Sequence, residues 1–261
     1  MTKNDFDFTG KTALITGAAG AIGKAVAVAM AERGGKVFIT DLSQEGVDAA
    51  VAEIGENAAG LAADVTQEDQ VVPVFEAAKK FLGKLDILVN CAGIIGQAPI
   101  ADMTVEQWDR VVEINGRGSF LFAKYAVPMM RDNAYGKIVN FSSKTGKTGS
   151  ALMAHYSFAK AGIMGFTQAL AYELAGDNIN VNCVCPGITD STGVWQQCSA
   201  DYIENLGQSR EDVIKQFTAK IPLKRLAAIS DVVSMVMYLS LPHSDYMTGQ
   251  SINLTGGREM H

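Results

Sequence analysis

The chain has 261 residues, of which 48% are apolar and 19% charged, with 26 glycines against 6 prolines. That balance excludes a disordered or fibrous protein and leaves a globular chain long enough to bury a large core. A net charge of −6 argues against the basic face that nucleic acid requires, and no apolar run reaches the roughly eighteen residues of a membrane span.

The opening MTKNDFDFTGKTALITG lacks the basic start and long apolar stretch of a signal peptide, so the expected location is the cytoplasm. Four cysteines, Cys91, Cys183, Cys185 and Cys198, follow no ladder of spacings and read as reduced thiols. Cys183 and Cys185, separated by one residue in an apparent strand, are expected on opposite faces of it.

In chain order, strands are predicted at 12–16, 36–40, 58–63, 85–90, 136–141, 179–184 and 251–254. Helices are predicted between them at 22–33, 44–54, 67–82, 104–131, 154–175 and 230–240. Most strands are apolar throughout rather than alternating, as when both faces are covered. The alternation implies right-handed crossovers and an α/β fold, a doubly wound parallel sheet of about seven strands with helices on both faces. One domain over 1–261 is expected. The segment 187–226 is long for a loop and is expected to be a substrate-binding lid. The stretches FLFAKYAVPMM and YSFAKAGIMGFTQALAYELA are apolar nearly all round, so a second subunit is expected to cover them, and a homotetramer is predicted.

The first strand runs directly into TGAAGAIGKAVAVAMAERG. Glycines at such a turn let the backbone approach a pyrophosphate, whose charge then rests on the helix N-terminus. Gly17, Gly20, Ala21, Ile22 and Gly23 are the candidates here. Asp41 ends the second strand, where an acid accepts hydrogen bonds from an adenosine ribose 2′-hydroxyl and repels a 2′-phosphate. The competing reading of Asp41 is a cap for the helix beginning near LSQEG. The ribose reading is favoured, which makes the expected cofactor NAD rather than NADP. Asp64 and Val65, and Asn90, Ala92 and Gly93, fall at the same carboxyl edge of the sheet, where doubly wound folds bind ligands.

Residues 140–160 read NFSSKTGKTGSALMAHYSFAK, and set Ser143, Tyr156 and Lys160 in one stretch. Jointly with residues 16–23, Asp41, Asp64, the NCAG at 90–93, Asn115 and the PGIT at 186–189, these residues resemble the short-chain dehydrogenase/reductase family over essentially the whole chain. Ala21 stands where that family usually has its middle glycine, and Thr255 where an Asp is frequent. The resemblance implies a Rossmann-like fold, a nicotinamide cofactor and a catalytic tetrad of Asn115, Ser143, Tyr156 and Lys160. It also implies that Pro186, Gly187, Ile188 and Thr189 hold the carboxamide and phosphates.

Tyr156 and Lys160 lie one helical turn apart on one face. A free phenol titrates near 10, and a neighbouring ammonium together with an oxidised nicotinamide ring favours the phenolate. Tyr156 can then take the proton of a secondary alcohol as hydride leaves the carbon. Ser143 would hold and polarise the substrate oxygen. Lys160 would also bond the nicotinamide ribose, and Asn115 would anchor a water relay. His155 points away from Tyr156 and is given no catalytic role.

The substrate is expected to be a small polyol or hydroxyketone, because SSKTGKTGS, IPLKR and TGQSINLTGG resemble the polyol (sorbitol-type) branch of the family. Lys144, Gln97 and Trp195 are candidate substrate contacts beside Ser143 and Tyr156, with Lys147, His155 and Arg258 as further lining. Lys144 and Lys147 could meet an anion or could be solvated loop charges. No metal is expected. The alternatives are an acetoin/butanediol-type or sorbitol-6-phosphate-type dehydrogenase, a 3-ketoacyl reductase, or a regulator that senses NAD without turnover.

Overall fold

Seven parallel strands form one sheet in the order β3-β2-β1-β4-β5-β6-β7, in the computed structural model, which describes residues 6–193, 195 and 209–261. The strands are β1 (Thr12–Thr16), β2 (Lys36–Thr40), β3 (Ala58–Gly60), β4 (Ile87–Asn90), β5 (Gly136–Phe141), β6 (Ile179–Pro186) and β7 (Ser251–Leu254). The described helices are α1 (Ala21–Ala31), α2 (Gln44–Ile54), α3 (Glu68–Leu82), α4 (Val105–Val112), α5 (Gly118–Asp132), α6 (Lys144–Thr148), α7 (Ala154–Leu174), α8 (Arg210–Ala219) and α9 (Ile229–Leu239).

Alternate residues along each strand serve opposite cores, which is why the strands read as apolar throughout. Ala13, Ile15, Val37, Ile39, Ile87, Val89 and Val139 pack with Val26, Met30, Val232 and Val236 of α1 and α9. Leu14, Phe38, Leu88, Ile138 and Val181 pack with Val71, Phe75, Leu121, Phe122 and Leu174 of α3, α5 and α7. Burying each such side chain stabilises the fold by about 1.5–3 kcal/mol.

The predicted boundaries shift at a few places. β4 begins at Ile87 rather than 85, because the Asp86 carboxylate accepts both the amide and the hydroxyl of Thr12 at 3.0 and 3.2 Å. β6 runs on to Pro186 rather than stopping at 184, since β7 pairs with it from Cys183 to Pro186. Cys183 and Cys185 do not point to opposite faces. They share one side of β6 with Ile163 of α7, as residues two apart in a strand must. Cys198, and positions 194 and 196–208 of the expected lid, lie outside the described residues.

The strand order reverses between β1 and β4, because the crossover from β3 returns to the other side of β1. Loops on either side of that reversal diverge, and open a crevice at the carboxyl ends of the strands.

Candidate active site

At the end of β1, Gly17 turns the chain with φ of 66°, and a Cβ there would lie 2.8 Å from the Ala92 backbone. A Cβ on Gly23 would lie 2.4 Å from the Gly17 carbonyl. Side chains are thus excluded at both places. Gly20 caps α1 without a side-chain bond and no acid stands in its first turn, so the positive end of the helix dipole is left uncovered. The Asp41 carboxylate reaches this turn from β2, its Oδ2 accepting the Ala19 amide at 2.9 Å and its Oδ1 the Leu42 amide at 2.7 Å. Ser43, not Asp41, caps α2, its Oγ accepting the Gly46 amide at 3.2 Å.

The long helix expected over 104–131 opens in its middle. Residues Glu113–Arg117 form a π turn, with the Gly118 amide donating to the Glu113 carbonyl five residues back. Asn115 explains the opening. Its Nδ2 donates to the Val111 and Ile94 carbonyls, both at 2.8 Å, and the Ser119 hydroxyl donates to the Asn115 carbonyl at 3.0 Å. The Asn115 Oδ1 is buried with no partner among the described residues. From α5 a line of hydrogen bonds crosses the sheet: Asn90 Nδ2 donates to the Ser119 carbonyl and to Asn140 Oδ1, and Asn140 Nδ2 donates to Thr167 of α7. This chain sets the π turn and α7 at a fixed separation.

On α7, Lys160 Nζ lies 5.7 Å from the centroid of the Tyr156 ring and donates to the Phe141 carbonyl at 2.8 Å. Burial brings the Lys160 ammonium down to about 8, opposed by the nearby thiols of Cys91, Cys183 and Cys185. Burial pushes the Cys91 thiol up to about 12, so it stays protonated at neutral pH. Ser143, two residues past β5, caps α6, its Oγ accepting the Thr145 amide at 3.2 Å and keeping its own proton to donate. The Ser142 hydroxyl donates to the Lys160 carbonyl at 2.6 Å, fastening the strand end to α7.

Asn115, Ser143, Tyr156 and Lys160 line one cavity of about 730 Å³. Trp195, 2% exposed, closes part of its wall, meeting Phe217 edge-on with centroids 5.8 Å apart and packing among Met153, Tyr156 and Val213. A hydroxyl donor, a phenol and an ammonium on one concave surface can hold an alcohol or carbonyl oxygen and move a proton at it.

A family described as enoyl-(acyl carrier protein) reductase matches residues 17–259. A sorbitol dehydrogenase of Cereibacter sphaeroides is 35% identical over 96% of this chain and 98% of its own. A solved xylitol dehydrogenase with bound NAD+ superposes with a TM-score of 0.91 at 32% identity, covering 96% of this chain and 99% of that one. A solved actinorhodin polyketide ketoreductase variant with NADPH gives 0.92 at 34% identity, covering 96% and 98%.

The chain belongs to the short-chain dehydrogenase/reductase family.

As a member of that family it is an oxidoreductase, and both solved relatives carry a nicotinamide dinucleotide. The glycine turn fits such a group: Gly17 and Gly23 leave no room for a Cβ, and neither a side-chain cap nor an acid in the first turn covers the start of α1. Ile22, Gly93, Lys144, Pro186, Gly187, Ile188, Thr189 and Trp195 of the predicted site line the same cavity as the four candidate catalytic residues. Gly17, Gly20, Ala21, Gly23, Asp41, Asp64, Val65 and Ala92 lie along the sheet edge outside its walls. Asn90 is drawn into the cross-sheet hydrogen bonds, and its side chain is buried away from the cavity.

Gln97 and His155 line a separate, smaller cavity of about 320 Å³ with Arg110 and Gln107. Gln97 is therefore absent from the walls of the larger one. Lys147 is likewise absent, since its Nζ donates to the Ser251 carbonyl at 3.0 Å. Phe217, Lys220 and Glu259, not expected from the sequence, line the large cavity from elements remote in the chain, and Met153 lines it from the start of α7. No local pattern marks them. Among the described residues no helix is long and apolar enough to cross a membrane, and no cluster of three His, Cys or acidic side chains is placed to hold a metal.

Proposed function

We propose that this enzyme oxidises a secondary hydroxyl of a polyol to a ketone, reversibly, with NAD. The observation that carries this reading is the shared cavity of Ser143, Tyr156, Lys160 and Asn115 beside the glycine turn. The nicotinamide ring, when bound, supplies the hydride acceptor. Ser143 donates its hydroxyl proton to the substrate oxygen and fixes its position. Tyr156 takes the alcohol proton, and Lys160 one turn on favours the phenolate by its charge. Asn115 serves the proton path through Oδ1, a buried acceptor near the Lys160 amine. Lys160, with residues 186–189 and Gly93 of the same cavity, would hold the dinucleotide.

Asp41 supports NAD over NADP. A carboxylate hydrogen-bonded to the Ala19 and Leu42 amides suits ribose hydroxyls and repels a 2′-phosphate. The ketoreductase neighbour with NADPH suggests a ketoacyl reductase as the second reading, and Asp41 weighs against it. We infer that the segment 187–226 forms the lid, with Trp195 as its anchor. Phe120 and Phe158, 49% and 58% exposed on α5 and α7, support the inferred homotetramer, which would cover them. A cytoplasmic location goes with this reading.

The test is a panel of NAD reduction with sorbitol, galactitol, xylitol, butanediol and sorbitol 6-phosphate, using wild type and Tyr156→Phe. Turnover of polyols that the phenylalanine variant abolishes, with NAD binding retained, is the expected result. Activity confined to butanediol would overturn the polyol assignment.

A further inference from the structure

The described walls of the large cavity hold four cations, Lys144, Lys160, Lys220 and Arg258, against one carboxylate, Glu259. This is unusual in a chain whose net charge is −6. Lys160 belongs to the oxidising end. The other three come together from separate places: Lys144 from α6, Lys220 from the end of α8, and Arg258 from the chain after β7.

Their present partners leave capacity unused. Lys144 is half-buried, and its described partner is the Ser150 hydroxyl at 3.5 Å, the outer limit of a hydrogen bond. Arg258 sets its Nε 3.3 Å from Glu259 and its guanidinium 6.0 Å from the centroid of the Phe217 ring. Its Nη1 is enclosed, with no acceptor among the described residues. Burial lowers the Lys144 pKa, and the charges of Arg258 and Lys220 push it the same way while Glu259 opposes them. Three cations near enough to feel one another, with an enclosed donor among them, are stabilised by an incoming anion that accepts several bonds at once. Lys147 takes no part, being held by Ser251.

We propose that this wall is an anion subsite, so that the polyol oxidised at Tyr156 carries a terminal phosphate or carboxylate held by Lys144, Arg258 and Lys220. The inference rests on the polyol reading above. Glu259 then faces the hydroxyls of the chain, as an acceptor, with its second oxygen buried and unpartnered among the described residues.

Two measurements test the subsite. The first is turnover with matched sets: a neutral polyol, its terminal phosphate ester and its aldonate, on wild type and on the double variant Lys144→Met/Arg258→Gln. Wild type is expected to prefer an anionic member by about tenfold or more in kcat/KM, and the double variant to lose that preference. Preference for the phosphate over the aldonate, or the reverse, identifies the group. The second is binding of inorganic phosphate at saturating NAD, which occupies the dinucleotide phosphate positions, read by tryptophan fluorescence. Binding about tenfold weaker in the double variant supports the subsite even if no substrate in the set turns over, a result that would sink the polyol reading alone. Equal phosphate binding by both proteins, or a wild type that prefers the neutral polyol, overturns the subsite and leaves polyol oxidation standing.

Discussion

Gly93 and Asn115 approach so closely that a single Cβ on the glycine would sit 2.5 Å from the Asn115 Oδ1 and 3.3 Å from the Lys160 Nζ. The absence of a side chain at 93 is what allows the π turn and α7 to face each other across the head of the cavity.

Gly93→Ala is therefore expected to displace Asn115 or Lys160 rather than unfold the chain. Turnover should fall by about tenfold or more, since shifts of an ångström in positioned groups cost that much. The measurement is steady-state kinetics beside a thermal melt. An alanine variant with wild-type kcat would show that neither group's position matters.

Asp41→Ala should relax the dinucleotide preference. Removing the carboxylate deletes a repulsion toward a 2′-phosphate and an acceptor for the ribose hydroxyls, so the NAD-to-NADP ratio of kcat/KM should drop by about tenfold. A ratio that does not move would contradict the ribose assignment.

Lys160 makes a stability prediction. Burial holds it at about 8, against roughly 10.4 in an unfolded chain. Between those values the unfolded chain binds more protons, so stability rises with pH across that window and its penalty is fully present below it. Lys160→Met should abolish turnover yet raise stability at pH 7 by about 1–3 kcal/mol, several degrees in Tm. The gain should shrink above pH 8 and vanish near 10. Melts at pH 7 and 9.5 check this, and a methionine variant less stable at pH 7 would refute it.

The strands and the two-faced sheet could be read directly because each strand residue is committed to one of two cores. Leu14 and Ile15, adjacent in β1, serve opposite ones. The glycine turn could be read from its place between β1 and α1, and Asp41 from its place just after β2, but the reach of Asp41 to the Ala19 amide, 22 residues back, could not. Nor could the π turn. It depends on Asn115 reaching the Ile94 carbonyl, a contact 21 residues away that no helical periodicity encodes. Helix α6 was missed because KTGKT has weak helical preference. Its Gly146 is explained only by packing, since a Cβ there would lie 2.6 Å from the Lys160 carbonyl carbon. Gln97 lines the smaller cavity beside His155 instead of the large one, and Lys220 and Glu259 were invisible because only the folded chain brings them to Lys144.

The bond from Lys147 to the Ser251 carbonyl joins positions 104 residues apart, and it has a mechanical meaning. It rivets the short helix that follows Ser143 to the last strand of the sheet, making that side of the mouth an anvil and not a jaw. A guest is thus met on the Ser143 side by a surface braced against the sheet itself.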